Sequence, residues 1–387
     1  MVKNQSLTHP NKQKRRLGIN HSPFDFEIIS ELYCDIVYNT LHMNQEGIMQ
    51  KMRLGKTNLM VSRVGFGALP IQRIGMEDAK SILTKAYDSG INFYDTARGY
   101  TDSEEKVGYA LSDVRKNIII ATKTHGKDKK TVQDHLITSL RNLKTDYIDI
   151  YQLHNPTQLP DPNDPDSSYS AVLEAKQKGL IRYVGITNHK LDKAMEAVKS
   201  GLYDTVQFPL NSLSSDKDLC LVEECKKHDV GFIAMKAMSG GLITNAASTF
   251  SFLWQFENVV PIWGIQEKHE LDEFLALEKA PPSLDKNMLK IIEKDRAELA
   301  GSFCRGCGYC MPCPVGIPIN TAARISLFLK RAPFKNYLTD DFKETMQLVN
   351  QCMECGQCKS KCPYELDTPN LLKSELEKYM DFYNKHS

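Results

Sequence analysis

The sequence predicts an α/β protein, a (β/α)8 TIM barrel followed by a small, mostly α-helical domain. Eight short runs rich in apolar and β-branched residues alternate with amphipathic helical patterns; the runs are residues 61–67, 91–97, 118–124, 147–154, 181–187, 204–208, 230–236 and 259–265. Strands that are apolar throughout are buried on both faces, and their alternation with helices implies right-handed parallel crossovers. Eight such units predict a barrel rather than a doubly wound sheet, because no G-x-G-x-x-G motif opens a first helix.

Composition divides the chain into three parts. Residues 1–48 show neither clear alternation nor a strong helical face. We expect them to be an N-terminal extension, disordered or read from a start site upstream of the native one, on which function does not depend. Residues 52–280 contain the predicted barrel. Residues 281–387 begin with a proline pair and a charged helical pattern, and then carry most of the cysteines.

The charge balance narrows the class of partner. The chain has 387 residues, a formal net charge of +1 and a pI of about 7.5. Such a balance favours neither nucleic acid nor an anionic membrane, so a small-molecule substrate is expected. No apolar stretch reaches the roughly 18–20 residues of a membrane span, and the first residues lack the apolar centre of a signal peptide. These features predict a cytoplasmic protein.

Eight of the eleven cysteines fall into two dense runs. Cytosolic thiols are kept reduced, so metal ligation is a better use for them than disulfides. Structural zinc is the alternative, but zinc tetrads come as two separated C-x2-C pairs, whereas four cysteines in one run followed by proline favour iron–sulfur ligation. Cys34, Cys220 and Cys225 are scattered and are expected to pack. The first cysteine run is Cys304, Cys307, Cys310 and Cys313, and the second is Cys352, Cys355, Cys358 and Cys362.

The second run resembles the C-x2-C-x2-C-x3-C-P run of bacterial-type ferredoxins, in which the last cysteine binds the other cluster. The resemblance implies two [4Fe–4S] clusters with exchanged ligands. The first run departs from the spacing by one residue before Cys313, and the helical stretches between the runs are more similar to an α-helical ferredoxin domain. The implied ligand sets are Cys304, Cys307, Cys310 and Cys362 for one cluster, and Cys352, Cys355, Cys358 and Cys313 for the other.

Four polar side chains follow three consecutive predicted strands. Asp95 ends the second strand, Tyr100 lies in the loop after it, Lys123 ends the third strand and His154 ends the fourth. Functional residues of a (β/α)8 barrel gather at the C-terminal ends of its strands. Each residue alone is more often structural, since catalytic groups are a minority of ionisable residues. Together they predict a functional site at the barrel mouth; we call these four residues the tetrad.

The chain resembles the aldo/keto reductase superfamily over about residues 52–280. The segments RLGKTNLMVSRVGFG, GINFYDTARGYTDSEEKVG, DYIDIYQLHNP, VGITNH and VQFPLN carry the resemblance, and with the cysteine runs residues 52–370 resemble the ferredoxin-tailed branch. It implies an NAD(P)H-dependent oxidoreductase that reduces a carbonyl group. Tyr100 would donate the proton, Lys123 would stabilise the phenolate, Asp95 would hold Lys123, and His154 would orient the carbonyl oxygen.

The resemblance also implies where the cofactor binds. Thr187, Asn188 and Gln207 would contact the nicotinamide amide, and NADPH is expected ahead of NADH. Met235 and Phe274 depart from the residues that relatives carry, and the segment after the last strand lacks an arginine for a 2′-phosphate. The other implied contacts are Lys236, Ser239, Gly240, Gly241 and Gly264, the glycines and Ser239 near the pyrophosphate, together with Gln266 and Glu273, the last at the adenine.

Three functions fit these observations. The first is a carbonyl reductase whose clusters carry electrons. The second is an electron-transfer or regulatory module that binds nicotinamide and exchanges electrons with a redox partner protein. In the third, the clusters are only structural. Hydride transfer moves two electrons whereas a cluster moves one, so a flavin stays open as a further cofactor, and the sequence does not identify the substrate.

Overall fold

Eight parallel strands close into a barrel in the computed structural model, which describes residues 49–299, 303–331 and 334–386. The prediction for residues 1–48 lies outside the described residues. Strands pair with their chain neighbours, and the last strand pairs with the first. The barrel strands are β3 (Gly65–Gly67), β4 (Phe93–Asp95), β5 (Ile119–Thr124), β6 (Ile148–His154), β7 (Ile181–Thr187), β8 (Thr205–Pro209), β9 (Gly231–Met235) and β10 (Val259–Gly264). The predicted (β/α)8 fold is therefore confirmed.

The first predicted strand is wrong in one respect. The run 61–67 is divided between β2 (Met60–Ser62) and β3, and β2 pairs antiparallel with β1 (Lys51–Arg53) outside the barrel. Apolar side chains of this hairpin pack on residues at the starts of the barrel strands, among them Phe93 and Ile119. The hairpin thus closes the N-terminal end of the barrel. A continuous apolar run cannot reveal the turn that divides it.

Helices follow the barrel strands and cover their outer side. The helix that follows β8 begins with a capping box, in which Ser215 and Asp218 exchange hydrogen bonds between side chains and backbone. Another helix ends at Gly201, whose φ of 72° is left-handed, as its glycine C-cap pattern predicts. These helices are α1 (Met76–Asp88), α2 (Ser103–Leu111), α3 (Lys129–Asn142), α4 (Ser168–Gln177), α5 (Leu191–Ser200), α6 (Asp216–Lys227), α7 (Ala246–Trp254) and α8 (Lys268–Lys279).

The C-terminal part is helical and has its own core. Its longest helix, α14, buries Leu372, Leu376, Tyr379 and Tyr383 along one face, at the spacing of an amphipathic helix. The elements are α9 (Lys286–Glu298), α10 (Ile319–Ala322), α11 (Ile325–Arg331), α12 (Asp340–Gln347), α13 (Gln357–Ser360) and α14 (Thr368–His386). The domain limits given above stay predictions. Of the helices that the structure describes, none has the length and apolarity to cross a membrane.

The helical domain lies against the C-terminal mouth of the barrel. Arg324 Nη1 donates to the Gly240 carbonyl oxygen at 2.9 Å, and the Tyr364 hydroxyl lies 2.6 Å from His189 Nδ1. Lys190 and Glu365 form an ion pair at 3.3 Å. The loops after β7 and β9 are therefore in contact with residues of the C-terminal domain.

Candidate functional site

The ends of β4, β5 and β6 bring the tetrad together. Asp95 is the last residue of β4, Lys123 is the last but one of β5, and His154 is the last of β6. Tyr100 lies in the loop between β4 and α2. Parallel pairing sets the heights of these residues, since Asp95 pairs with Ala121 and Lys123 pairs with Gln152. All four side chains therefore reach the same end of the barrel.

Lys123 and Asp95 form a buried ion pair. Lys123 Nζ lies 2.6 Å from Asp95 Oδ1 and donates to the Thr96 carbonyl oxygen at 2.6 Å. Gln152 and Gln207 donate side-chain N–H groups to the Asp95 carboxylate at 3.3 Å and 3.4 Å. Burial raises the pKa of Asp95, and Lys123 opposes this shift. A buried charge is tolerated only when it is paired and hydrogen-bonded, and here the carboxylate holds the ammonium group in one place.

Tyr100 lies beside this ion pair. The Lys123 ammonium nitrogen is 5.2 Å from the centre of the Tyr100 ring. Burial raises the pKa of Tyr100, and the Lys123 charge acts in the opposite direction without reversing the shift. The phenol is therefore protonated at neutral pH, and it has a cation next to it that would stabilise the phenolate once the proton is given up.

His154 is held between aromatic rings. The His125 ring stacks on it with centroids 3.9 Å apart, and the Tyr100 ring stands edge-on at 5.9 Å. Burial lowers the pKa of His154 far below its ordinary value, and the neighbouring His125 and Lys123 charges act in the same direction. Its Nδ1 atom is buried without a hydrogen-bond partner among the described residues. His154 is thus a neutral imidazole. His125 was not predicted as a site residue, although it follows Lys123 by two positions.

The side chains predicted to contact the nicotinamide differ in which of their hydrogen-bonding atoms already have partners. Gln207 donates to Asp95, while its Oε1 atom is buried and without a partner among the described residues. Thr187 Oγ1 accepts from the Asn155 backbone at 3.1 Å. The Asn188 amide donates to the Pro156 carbonyl oxygen at 2.9 Å, and its side-chain oxygen accepts from the Lys190 backbone at 2.9 Å. The open acceptor of Gln207 therefore fits a carboxamide N–H group best.

The loop after β9 has an unusual backbone. Positive φ angles occur at Lys236 (58°), Ser239 (50°), Gly240 (66°) and Gly241 (88°). A β-carbon on Gly240 would come within 2.9 Å of Arg324 Nη1, the movable end of that side chain, and the left-handed φ of 66° itself favours glycine here. The loop thus presents its backbone to the helical domain.

Two cations lie at this loop, Lys236 within it and Arg324 bonded to Gly240, and the charge of a third, Arg73, acts on both. Burial lowers the pKa of both Lys236 and Arg324; the Arg73 charge acts in the same direction, whereas the Cys304 and Cys307 thiols oppose it. Arg73 Nη1 donates to Gln266 Oε1 at 3.4 Å. Mutually repelling cations at one loop suit an anionic group such as a pyrophosphate. Arg73 and Arg324 were not predicted, because no local pattern in the sequence connects them to this loop.

The remaining predicted contacts lie at the ends of β10 and on α8. Gly264 is the exposed last residue of β10, and Glu273 is exposed on α8. Phe274, next to Glu273, points into the core and stacks on Trp263 with centroids 4.3 Å apart. The departure at position 274 therefore affects core packing rather than a surface open to a nucleotide.

The eight cysteines of the two runs surround two cavities. Cys304, Cys307, Cys310 and Cys362 line the first, which measures about 350 Å³ including space open to solvent. Cys313, Cys352, Cys355 and Cys358 line the second, of about 390 Å³, and Cys310 contributes to both linings. Each cavity is thus bounded by three cysteines of one run and the last cysteine of the other, and the thiols present suit iron–sulfur clusters.

The arrangement of the thiols differs from that of a single-ion site. Within residues 49–299, 303–331 and 334–386, no group of three or more His, Cys, Asp or Glu side chains converges as the ligands of one metal ion do. Zinc thiolates meet at one point about 2.3 Å away, whereas each ligand of a cubane binds a different iron. Thiols spread around a cavity are the geometry that a cluster requires.

Two tyrosines connect the first cavity with the barrel mouth. Tyr309 lies between Cys307 and Cys310, and its ring centre is 6.1 Å from that of His154 and 5.2 Å from that of His189. Tyr364 follows Cys362 by two positions and bonds to His189 Nδ1. Neither tyrosine was predicted from the sequence as a site residue. Their proximity to candidate ligands was visible in the sequence, but their contact with the barrel was not.

Comparison with known proteins agrees with the fold and the domain order. Residues 63–252 match the aldo/keto reductase family, and residues 303–367 match the 4Fe-4S dicluster domain. An uncharacterized oxidoreductase, YqkF of Bacillus subtilis, is 35% identical over 214 residues, which are 51% of this chain and 67% of the relative. L-galactose dehydrogenase of Arabidopsis thaliana is 31% identical over 211 residues, 49% of this chain and 66% of the relative. The chain thus spans about two thirds of the length of these relatives.

Solved structures share the barrel. The holo form of aldo-keto reductase AKR11C1 from Bacillus halodurans aligns with a TM-score of 0.56 at 24% identity, covering 64% of this chain and 96% of that chain. An aldo-keto reductase from Klebsiella pneumoniae in complex with NADPH aligns with a TM-score of 0.55 at 19% identity, covering 64% and 95%. At these identities the structures support the fold.

Fold, domain order and relatives define an oxidoreductase. The chain belongs to the aldo/keto reductase family, and it carries a C-terminal 4Fe-4S dicluster domain.

Proposed function

We propose that this protein reduces an uncharged aldehyde or ketone by hydride transfer from NAD(P)H, with Tyr100 as the proton donor. The observation that carries the proposal is the buried ion pair of Lys123 and Asp95, 2.6 Å apart, with Tyr100 and His154 beside it. The substrate is a small molecule. In the reaction the carbonyl carbon gains a hydride, its oxygen gains a proton, and the nicotinamide is oxidised.

Each member of the tetrad has a distinct part in this reaction. A bound nicotinamide would supply the hydride. Negative charge then develops on the carbonyl oxygen, which needs donors within hydrogen-bond reach. Tyr100 gives its proton to that oxygen, and neutral His154 orients the oxygen by a second hydrogen bond. Lys123 stabilises the phenolate that remains, and Asp95 keeps Lys123 in place.

We propose NADPH as the preferred coenzyme, with NADH as the alternative. The open Oε1 atom of Gln207 supports a nicotinamide amide at the mouth. The cations Lys236 and Arg324 at the loop after β9, with the charge of Arg73 acting on both, support the phosphates, in keeping with phosphate sites near the last strands of such barrels. A relative from Escherichia coli bears the name NADH-specific methylglyoxal reductase, so both coenzymes belong in the test.

We propose two [4Fe–4S] clusters, one in each cysteine-lined cavity, for electron transfer. Tyr309 and Tyr364 adjoin candidate ligands of the first cavity and also contact the barrel. This proximity favours a second candidate function, in which the clusters exchange electrons with a partner protein and the barrel binds nicotinamide without reducing a carbonyl. Direct electron exchange with NAD(P)H would need a flavin, since hydride transfer moves two electrons.

An anaerobic assay separates the two candidates. The protein with full iron content is mixed with NADPH or NADH and a panel of aldehydes and ketones, with and without added flavin, while alcohol, coenzyme oxidation and cluster absorbance are followed. The reductase function predicts one alcohol formed per coenzyme oxidised, with no net change in the clusters. Bleaching of the clusters by coenzyme without alcohol would contradict it and support the electron-transfer function.

The pH dependence follows from the shifted groups. The pKa of His154 lies far below its ordinary 6.5, so the active neutral ring persists down to well below pH 6. The pKa of Tyr100 is raised above 10, so the donor keeps its proton to high pH. We expect log kcat/KM for reduction to be level from about pH 6 to about pH 9. If log kcat/KM instead changed with a midpoint near pH 6.5, a histidine with an ordinary pKa would take part in the reaction, contrary to this expectation.

A further inference from the structure

We propose that Tyr309, which belongs to the dicluster domain, forms one wall of the carbonyl pocket and selects substrates by the size and flatness of the group on the carbonyl carbon. The inference rests on the proposed reductase function and adds to it a residue from outside the barrel. The substrate class that fits this wall is an aldehyde or ketone with an uncharged aromatic or other flat apolar group.

The Tyr309 ring lies next to the histidine that orients the substrate. Its plane stands at 79° to that of His154 with centroids 6.1 Å apart, and the Tyr100 ring takes a similar place at 80° and 5.9 Å. His125 fills the space over one face of His154. With that face covered, a carbonyl oxygen about 2.6–3.2 Å from the donors of both Tyr100 and His154 would have the side of Tyr309 for its substituents.

The wall is aromatic and uncharged. Burial lowers the pKa of His189 to about 3 and that of His154 far below its ordinary value, so both rings are neutral at pH 7. The Lys123 charge is paired with Asp95. An ionised group on the substrate would lose its hydration beside these neutral rings. An aryl group would instead gain edge-to-face contacts with Tyr309 and the imidazoles.

The position of Tyr309 is fixed from two sides. It follows Gly308, whose φ of 81° is left-handed, and the turn is closed by the Met311 N–H, which donates to the Gly308 carbonyl oxygen at 3.0 Å. Cys307 and Cys310 flank it and line the first cavity. On the other side the His189 ring stands edge-on to Tyr309, with centroids 5.2 Å apart, and Tyr364 bonds to the same histidine. Binding of a cluster by Cys307 and Cys310 would therefore hold the wall of the pocket in place.

Variants at position 309 test the inference with an aldehyde series. Rates with propanal, benzaldehyde and 2-naphthaldehyde are compared in the wild type, Tyr309→Ala, Tyr309→Phe and Tyr309→Trp, each with its iron content measured. We expect Tyr309→Ala to raise the ratio of kcat/KM for 2-naphthaldehyde over benzaldehyde by roughly 10-fold or more, because it removes a whole ring and a single methylene in an apolar pocket already has an effect of about 10-fold. Tyr309→Trp should lower that ratio, and Tyr309→Phe should keep it.

Tyr383→Phe is the matched control, because it removes a tyrosine hydroxyl of the same domain that donates to Asp340 at 2.9 Å and takes no part in the pocket wall; its ratio should stay within about two-fold of the wild type. An unchanged ratio in both Tyr309→Ala and Tyr309→Trp at full iron content would overturn the inference, as would an equal change for all three aldehydes. If the wild type reduces none of them, the reductase function fails. In that case the dissociation constants of the same aldehydes are measured by equilibrium dialysis. The ratio of affinities for 2-naphthaldehyde and benzaldehyde, compared between the wild type and the Tyr309 variants, then tests the pocket wall.

Discussion

Replacing Tyr100 with phenylalanine is expected to lower kcat/KM for carbonyl reduction by about 10²- to 10⁴-fold, the contribution of a positioned general acid. The ring, its contact with His154 and the neighbouring Lys123–Asp95 pair all remain, so the variant removes only the proton donor. The dissociation constant of NADPH, measured by fluorescence, should change little, and the iron content should equal that of the wild type.

Tyr109→Phe is a suitable control for this variant. Tyr109 is an exposed tyrosine on α2 whose hydroxyl donates to Glu77 on α1 at 2.8 Å. The Tyr109→Phe variant should retain the kcat/KM of the wild type. Full carbonyl turnover in Tyr100→Phe would show that the proton comes from elsewhere, and the tetrad assignment would then be wrong.

Paired cysteine variants are expected to reveal the exchange of ligands between the two runs. Two cubanes correspond to about eight irons per chain. In the proposed sets, Cys304 and Cys362 bind the same cluster, so Cys304→Ala combined with Cys362→Ala should still leave about four irons. Cys352→Ala combined with Cys362→Ala removes a ligand from each cluster, and should leave few or none. Iron and sulfide are counted after anaerobic purification.

The comparison works because effects within one cluster are not additive, whereas effects on separate clusters are. Cys220→Ala, at an exposed position outside both runs, is the control and should keep about eight irons. If the Cys304 and Cys362 pair lost both clusters while the Cys352 and Cys362 pair kept one, each run would bind its own cluster, contrary to the arrangement of the two cavities.

Much of the barrel could be predicted because its signals are local. Apolar runs and helical patterns gave all eight barrel strands, and β7 has the predicted limits of Ile181 and Thr187. The error at the first run arose because β2 and β3 are both apolar and are separated by only two residues. Periodicity reports burial, and it does not report which strand is the partner.

Only the site residues that belong to the barrel could be predicted from the sequence. The tetrad follows from its positions at strand ends, and the structure brings its members together. Arg324, Tyr309 and Tyr364 come from the second domain, and no pattern of hydrophobicity encodes how two domains dock. Asn188 illustrates a further limit. Its type suits a cofactor contact, but its side chain already bonds to Pro156 and Lys190, which only the folded loop reveals.

The most direct measurement traces the hydride. Coenzyme deuterated at the transferable position of the nicotinamide is incubated anaerobically with the protein and an aldehyde that it reduces, and the alcohol is analysed by mass spectrometry and NMR. The account predicts one deuterium on the former carbonyl carbon for each coenzyme oxidised. Alcohol without deuterium at that carbon, or oxidation of the coenzyme by the clusters alone, would contradict it.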